Sequence, residues 1–199
     1  MTDIQQDGRA RRQQDIFDLN RSKLIDTAVD VINEVGDIRE VTLTQIAKEA
    51  GVSPATAYNH FPDRMEDVFS AIVHSRMDVA ANMGATLADE SLSVIEKLKQ
   101  IPVTYAENLV SLGYAGKVIV VQMFNLVNVD KWLDQDPVQA ITALLSNSEQ
   151  YQDRADEIAV NVATAFRGAM FEYALNIGDH ELFNRYSDCL LYTSDAADD

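Results

Sequence analysis

Apolar side chains recur at intervals of three and four residues through most of the chain, which is the spacing that places them on one face of an α-helix. The first sustained example begins at residue 21, and its apolar positions are Leu24, Ile25, Ala28, Ile32 and Val35. Gly36 predicts its end, because glycine adopts the left-handed conformation of a helix C-terminus without a Cβ penalty. Residues 1–19 are rich in Gln, Asp and Arg without a sustained period, so we expect a flexible basic and polar arm there.

End signals predict two short helices after the first. Thr42, with a glutamine three residues later, has the pattern of a capping box, and Gly51 ends that helix. Ser53 and Pro54 predict a third helix, since serine is a favoured N-cap and proline loses no hydrogen bond in a first turn. The proline after Phe61 closes it, because the residue before a proline is pushed out of helical geometry.

Helical spacing continues through the remainder of the chain, with a kink or break expected at Pro102 and a new short helix at Pro137. The stretch 118–129 is apolar nearly all round, which predicts a buried helix, and a long helix is predicted over 149–178. Strand-like alternation bounded by turn residues does not occur. The predicted fold class is all-α, with a disordered or non-native acidic tail over 192–199.

Composition and missing motifs exclude several classes of protein. The chain has 1 cysteine and 3 histidines, so neither a disulfide framework nor a metal site is expected. The most apolar stretch, 118–129, is shorter than the about 20 residues that a membrane span needs, and residues 1–14 lack the apolar core of a secretory signal. Nucleotide-binding, hydrolase and metalloprotease motifs are absent. We expect a soluble cytoplasmic protein that is not an enzyme and uses no cofactor.

The net charge of −16 argues at first against a nucleic-acid partner, but the charge is unevenly distributed. After residue 64, 21 acidic side chains face 8 basic ones, whereas residues 8–23 carry a basic run. Its members are Arg9, Arg11, Arg12, Arg21 and Lys23. Because salt screens charges beyond about 8–10 Å, a distant acidic region need not cancel a local basic face. The arginines of the arm either contact a nucleic-acid backbone or only solubilise the chain.

The most specific signal is the string TLTQIAKEAGVSPATAYNHFPDR, which runs from Thr42 to Arg64. Two short helices separated by a glycine turn are the layout of a helix-turn-helix. In its starting threonine, its Ala-Gly-Val-Ser turn and its Tyr-x-His-Phe ending, the string closely resembles the tetracycline-repressor (TetR) family of bacterial transcription regulators, over about residues 21–70. The resemblance implies a helix-turn-helix DNA-binding domain over 20–66 and a larger helical effector-binding and dimerisation domain over 67–191.

The third helix is the predicted recognition helix, since about two turns of helix can place a few side chains in the major groove. The predicted DNA-binding residues are Thr42, Thr44, Ser53, Pro54, Ala55, Thr56, Tyr58, Asn59, His60 and Arg64. Of these, Ala55 and Thr56 suit base edges, Asn59 suits adenine, and Tyr58 suits a phosphate. The resemblance supports Thr44, Thr56, Tyr58, His60 and Arg64. Tyr58 and His60 could instead be structural, as we expect Phe61 to be.

In the family, the second domain encloses a pocket for a small effector. Three amide side chains recur every three residues through the apolar 118–129 helix, and polar groups in an apolar cavity orient a ligand. The candidate pocket residues are Tyr105, Gln122, Met123, Phe124, Asn125, Asn128 and Trp132. The alternative is an ordinary buried helix whose amides bond to neighbouring backbone.

A helix-turn-helix of this size reads few base pairs, so a dimer on a two-fold site is expected. The resemblance implies an intersubunit four-helix bundle, built from the long helix and the last one. The candidate interface residues are Ile158, Val162, Phe166, Ala169, Met170, Tyr173, Leu182, Phe183 and Tyr186. The alternative is that the same apolar stripe packs within one subunit.

These features predict a homodimeric transcriptional repressor that binds a palindromic operator in double-stranded DNA, is released by an unidentified small-molecule effector, and has no membrane partner. Two alternatives stay open. One is an effector-independent architectural DNA-binding protein, and the other is a helical interaction protein or enzyme with a vestigial helix-turn-helix.

Overall fold

The computed structural model describes residues 3–76, 79–124 and 137–175, and within these ranges the regular elements are helices, with no strand. The all-α class is therefore confirmed. The helices are α1 Asp3–Val35, α2 Leu43–Glu49, α3 Pro54–His60, α4 Met65–Arg76, α5 Val79–Ala88, α6 Val94–Ser111, α7 Tyr114–Phe124, α8 Pro137–Ser146 and α9 Ala155–Leu175. Short 3₁₀ helices occupy Ile38–Glu40 and Gln152–Arg154. None of the described helices is long and apolar enough to cross a membrane.

The chain divides into two compact units, Met1–Ile72 and Val73–Asp199, and the division falls inside α4. In the first unit, α1 packs against α2 and α3. Leu24, Ala28 and Ile32 of α1 are fully buried because their spacing keeps them on one face. They pack in a core whose other fully buried side chains include Ile46, Ala57, Phe61 and Val68.

In the second unit, α9 packs against α7 and α8, and α5 packs against α6. Tyr105 of α6 meets Phe166 of α9 edge to face, with 5.5 Å between the ring centroids. A complete capping box begins α6, in which Ser93 and Glu96 exchange side-chain and backbone hydrogen bonds. The serine donors lower the pKa of Glu96, so this carboxylate has a structural role in starting a helix.

The predicted flexible arm over residues 1–19 is helical in its described part, since α1 begins at Asp3. Residues 8–19 are all exposed and carry no buried stripe, which is why periodicity did not reveal them. Gln and Arg are good helix formers, and extending a helix that is already nucleated is easier than starting one. A hydrogen bond from the Gln14 amide to Asp18 at 2.9 Å adds an i,i+4 contact.

Two boundaries in the second unit also differ from prediction. Pro102 does not break α6, because the buried face that includes Leu98, Ile101 and Leu109 holds the helix together across the lost hydrogen bond. The long helix begins at Ala155 rather than at residue 149, since the Ser148 carbonyl accepts two N–H groups in a turn that precedes it. The predicted buried helix over 118–129 is described only to residue 124, and the predicted tail over 192–199 lies outside the described residues.

Candidate nucleic-acid interface

The helix-turn-helix begins at Thr42, whose extended backbone precedes α2. Its hydroxyl accepts a hydrogen bond from the Gln45 N–H at 3.2 Å and so caps the helix as expected. The turn after α2 depends on Gly51, whose φ of 66° lies in the left-handed region. The Val52 N–H donates to the Ala47 carbonyl at 3.0 Å and closes the turn. Backbone hydrogen bonds therefore fix the direction in which the chain enters α3.

Helix α3, the predicted recognition helix, has one face towards the core and the opposite face towards solvent. Ser53 caps it by accepting from the Thr56 N–H at 3.0 Å, and Pro54 occupies its first turn. Ala57 is fully buried. Thr56 is half-buried, with its hydroxyl 2.8 Å from the Ser53 hydroxyl. The exposed side chains of α3 are Pro54, Ala55, Tyr58 and Asn59.

Tyr58 and Thr44 bring two hydroxyl groups together from different helices. Their oxygen atoms lie 3.5 Å apart, and both side chains are exposed. Hydroxyls at this separation can both donate to oxygen atoms of one phosphate group. Thr44 and Tyr58, which were predicted as separate phosphate contacts, thus form one candidate site for a single phosphate group.

Arg64, the last residue of the motif, has a left-handed backbone with a φ of 59°. This conformation costs a residue with a Cβ atom roughly 1–2 kcal/mol. It is held by the turn between α3 and α4, in which the Arg64 N–H donates to the Phe61 carbonyl at 3.0 Å. The arginine side chain is exposed, as a phosphate contact requires.

His60 lies mostly in the interior of the first unit, since it is only 5% exposed. Its ring lies 4.0 Å from that of Phe17, and the buried Nδ1 has no hydrogen-bond partner among the described residues. Burial, followed by the charge of Arg21, lowers the pKa of His60, while Asp18 opposes the shift. This position fits the structural alternative for His60, and a DNA contact through its imidazole stays a prediction.

Phe17 and Arg21 are residues of this site that sequence reasoning missed. A guanidinium N–H of Arg21 donates to the His60 carbonyl at 3.0 Å, and the guanidinium lies 5.0 Å from the centre of the Phe61 ring. Together with Phe17 it joins α1 to the last turn of α3. The signal was present, since Phe17 and Arg21 continue the spacing of Leu24 along one face of α1, although Phe17 itself is 42% exposed.

Mild acid is expected to destabilise the first unit through His60. Its folded pKa is below the ordinary 6.5, so the unfolded chain binds a proton more readily than the folded one. Stability is then fully present above pH 6.5 and falls as the pH drops from there towards the folded pKa. Between pH 8 and pH 5, the unfolding temperature should decrease less for His60→Gln than for the wild type. His74→Gln is the matched control, and an equal loss in all three proteins would contradict the argument.

The motif that contains this site matches a known family. Residues 24–72 match the family model described as "Bacterial regulatory proteins, tetR family". The similarity to this family therefore lies within the first unit, Met1–Ile72. An HTH-type transcriptional regulator BetI from Brucella anthropi is 35% identical over 69 residues, which are 35% of this chain and 35% of that protein. BetI from Klebsiella pneumoniae is 36% identical over 78 residues, which are 38% of this chain and 40% of BetI. The match thus spans little more than a third of these relatives.

Three solved structures share the fold over most of the chain. The fatty acid degradation regulator FadR from Bacillus halodurans superposes with a TM-score of 0.64 at 21% identity, over 86% of this chain and 94% of FadR. A TetR/AcrR regulator from Thermobifida fusca gives 0.64 at 18% identity, over 86% and 96%. The SmeT–triclosan complex gives 0.55 at 17% identity, over 88% and 91%.

The predicted effector residues are only partly described. Tyr105 is buried against Phe166, and Gln122 and Met123 on α7 are half-buried. Phe124 ends α7, and its side chain is outside the description. Asn125, Asn128 and Trp132 lie outside the described residues.

The predicted dimer residues on α9 mostly belong to the core of the subunit. Phe166, Ala169, Met170 and Tyr173 are buried within their own chain, as the intrasubunit alternative expects, and their place in a dimer interface stays a prediction. Ile158 and Val162 are half-buried. The other predicted interface residues, which are Leu182, Phe183 and Tyr186, lie outside the described residues.

Proposed function

We propose that this protein is a member of the TetR family and a sequence-specific DNA-binding transcriptional regulator that represses its target genes and is released by a small-molecule effector. The observation that carries the proposal is the exposed face of α3, where Pro54, Ala55, Tyr58 and Asn59 lie beside the Thr44 hydroxyl. The DNA target places its action in the cytoplasm.

The side chains on this face suit a major groove. With seven residues, α3 is roughly 10 Å long, close to the about 12 Å width of the groove. Ala55 and Pro54 can contact thymine methyl groups, and the Asn59 amide can bond to adenine. The hydroxyls of Tyr58 and Thr44 can hold a phosphate at the groove edge and set the register of the helix.

A gel-shift selection from random duplexes tests the DNA-binding function. Recovery of a palindromic consensus is the expected result, because a two-fold protein reads two related half-sites about one helical turn apart. Binding without a consensus would favour an architectural DNA-binding protein. Failure to bind any duplex at low salt would contradict both functions.

For the dimer we propose a second apolar face of α9, opposite the buried one. Val160 is 50% exposed and Leu175 is 60% exposed, and Phe171 lies between them on the same side. Thr164 continues this face, with its hydroxyl bonded to the Val160 carbonyl at 2.7 Å and its methyl group left to pack. Gly168 adds a position where a partner helix can approach closely. The spacing of four, four, three and four residues keeps the whole set on one stripe.

The double variant Val160→Glu/Leu175→Glu is expected to weaken dimerisation at least about tenfold, because two buried, unpaired carboxylates would lie in the interface of each subunit. Sedimentation equilibrium at micromolar concentrations measures the change. Val121→Glu, at an exposed position of α7, is the matched control and should leave the dimer intact. A wild-type monomer, or a double variant as dimeric as the wild type, would contradict this interface.

The proposed effector acts by linkage. A ligand that binds more tightly to the conformation unable to bind the operator shifts the protein towards that conformation, and the DNA affinity falls as a result. The SmeT neighbour, solved as a complex with triclosan, and the half-buried Gln122 of α7 support a small-molecule site in the second unit. A panel of apolar aromatic compounds that includes triclosan tests this step. A binding compound should raise the unfolding temperature and release DNA, whereas one that raises the temperature without releasing DNA is not an effector.

A further inference from the structure

The first helix continues well past the point where it meets the recognition helix. The contacts of Phe17 and Arg21 with His60 place this meeting point at the last turn of α3. Helix α1 begins at Asp3, and residues 8–16 are all exposed. This part of α1 therefore extends beyond the C-terminal end of α3 as a helical arm and adds nothing to the core of the first unit.

The helical arm carries three exposed arginines within four residues, Arg9, Arg11 and Arg12. At a rise of about 1.5 Å per residue, Arg12 and Arg9 lie about 8 Å and 12 Å along the axis from Phe17. Their positions span about 160° of the helix circumference. Whichever side of this spread faces a bound anion, a long, flexible arginine side chain from at least one of the three positions can thus reach it.

The helix-turn-helix itself supplies little positive charge. Between Thr42 and Arg64, the two cations are balanced by Glu49 and Asp63. Protein–DNA affinity depends heavily on neutralised phosphates, each of which releases a counterion. The arginines just past the end of α3 therefore supply the positive charge that the helix-turn-helix lacks. Guanidinium groups are also well suited to phosphate oxygens, which they can bind with two parallel hydrogen bonds.

We propose that Arg9, Arg11 and Arg12 form an electrostatic extension of the DNA interface, which binds backbone phosphates flanking the base pairs read by α3. The inference rests on the proposed DNA-binding function and adds a second contact region to it. Because phosphates carry no direct sequence information, the helical arm contributes affinity and salt dependence but not the choice of sequence.

The test compares the salt dependence of binding between the wild type and the triple variant Arg9→Gln/Arg11→Gln/Arg12→Gln, on the duplex recovered by selection. Glutamine keeps helix propensity, and circular dichroism checks that the helix content is unchanged. At about 0.9 per phosphate contact, the slope of log K against log salt should decrease in magnitude by about 2 to 5 for a dimer with two arms. The recovered consensus should stay the same.

The triple variant Arg9→Lys/Arg11→Lys/Arg12→Lys is the matched control, since it keeps the charge and should keep most of the slope. Trimming about four base pairs of flanking DNA from each end should reduce the wild-type slope without affecting the glutamine variant. An unchanged slope in the glutamine variant, with normal binding by the wild type, would overturn this inference and leave the proposed function standing. A wild type that binds no duplex would overturn both.

Discussion

Gly116→Ala is expected to destabilise the second unit by about 3 kcal/mol, the upper part of the range for overpacking a core. A Cβ atom built on Gly116 would lie 2.1 Å from the backbone oxygen of Leu109 and 3.4 Å from the Leu112 Cβ. The first distance is far below van der Waals contact, and the atom it meets belongs to the backbone of α6. No side-chain rotation relieves such a clash, so α6 and α7 must separate.

The turn between these helices limits that separation. Gly113 links α6 to α7 with a φ of 64°, and its N–H donates to the Val110 carbonyl at 3.0 Å. Because α7 starts directly after this turn, it cannot slide along α6 to make room for a methyl group. Moving the helices apart would also loosen the packing of Ile119, which is fully buried.

Gly84→Ala is the matched control for the same change in a helix of the same unit. No heavy atom lies within 4 Å of a Cβ atom built on Gly84, so alanine is expected to stabilise α5 by about 0.5–1 kcal/mol through its higher helix propensity. Urea unfolding followed by circular dichroism measures both variants. Equal midpoints for Gly116→Ala and the wild type would show that α6 and α7 are less closely packed than described.

Local chemistry explains which parts of the site could be predicted from sequence. Thr42, Ser53 and Gly51 act through hydrogen bonds and backbone angles within a few residues of themselves, so their patterns specify the helix ends. The exposed positions of α3 follow from the same helix boundaries and a period of 3.6 residues. The burial of His60 could not be predicted, because it depends on Phe17, which is far away in sequence and close only after folding.

The assignment of the two faces of α9 could not come from periodicity. This helix carries apolar side chains on opposite sides, and only the packing of α7 and α8 determines that Phe166 and Met170 face inwards. The exposed stripe with Val160 and Leu175 has the same kind of residues. A sequence pattern shows that a face is apolar, but the neighbouring helices decide whether the subunit itself covers that face.

Ala55→Glu is expected to lower operator affinity at least about a hundredfold while leaving the protein folded. Ala55 is exposed in the first turn of α3, where a carboxylate interacts favourably with the helix dipole, so little stability should be lost. In the proposed complex, the same carboxylate would lie among base edges and between two rows of phosphates. It would lose its hydration without gaining a cation, since Arg64 is the only lysine or arginine in the sequence between Ala55 and the start of α4.

Ala143→Glu separates this effect from a simple change in net charge. Ala143 is exposed on α8 in the second unit, so the control adds the same carboxylate away from α3. Fluorescence anisotropy on the selected duplex should show near-wild-type affinity for Ala143→Glu and a loss of at least about a hundredfold for Ala55→Glu, with equal unfolding temperatures. If Ala55→Glu bound the duplex as tightly as the wild type, the exposed face of α3 would not enter the groove, and the contacts proposed for Asn59 and Pro54 would be wrong as well.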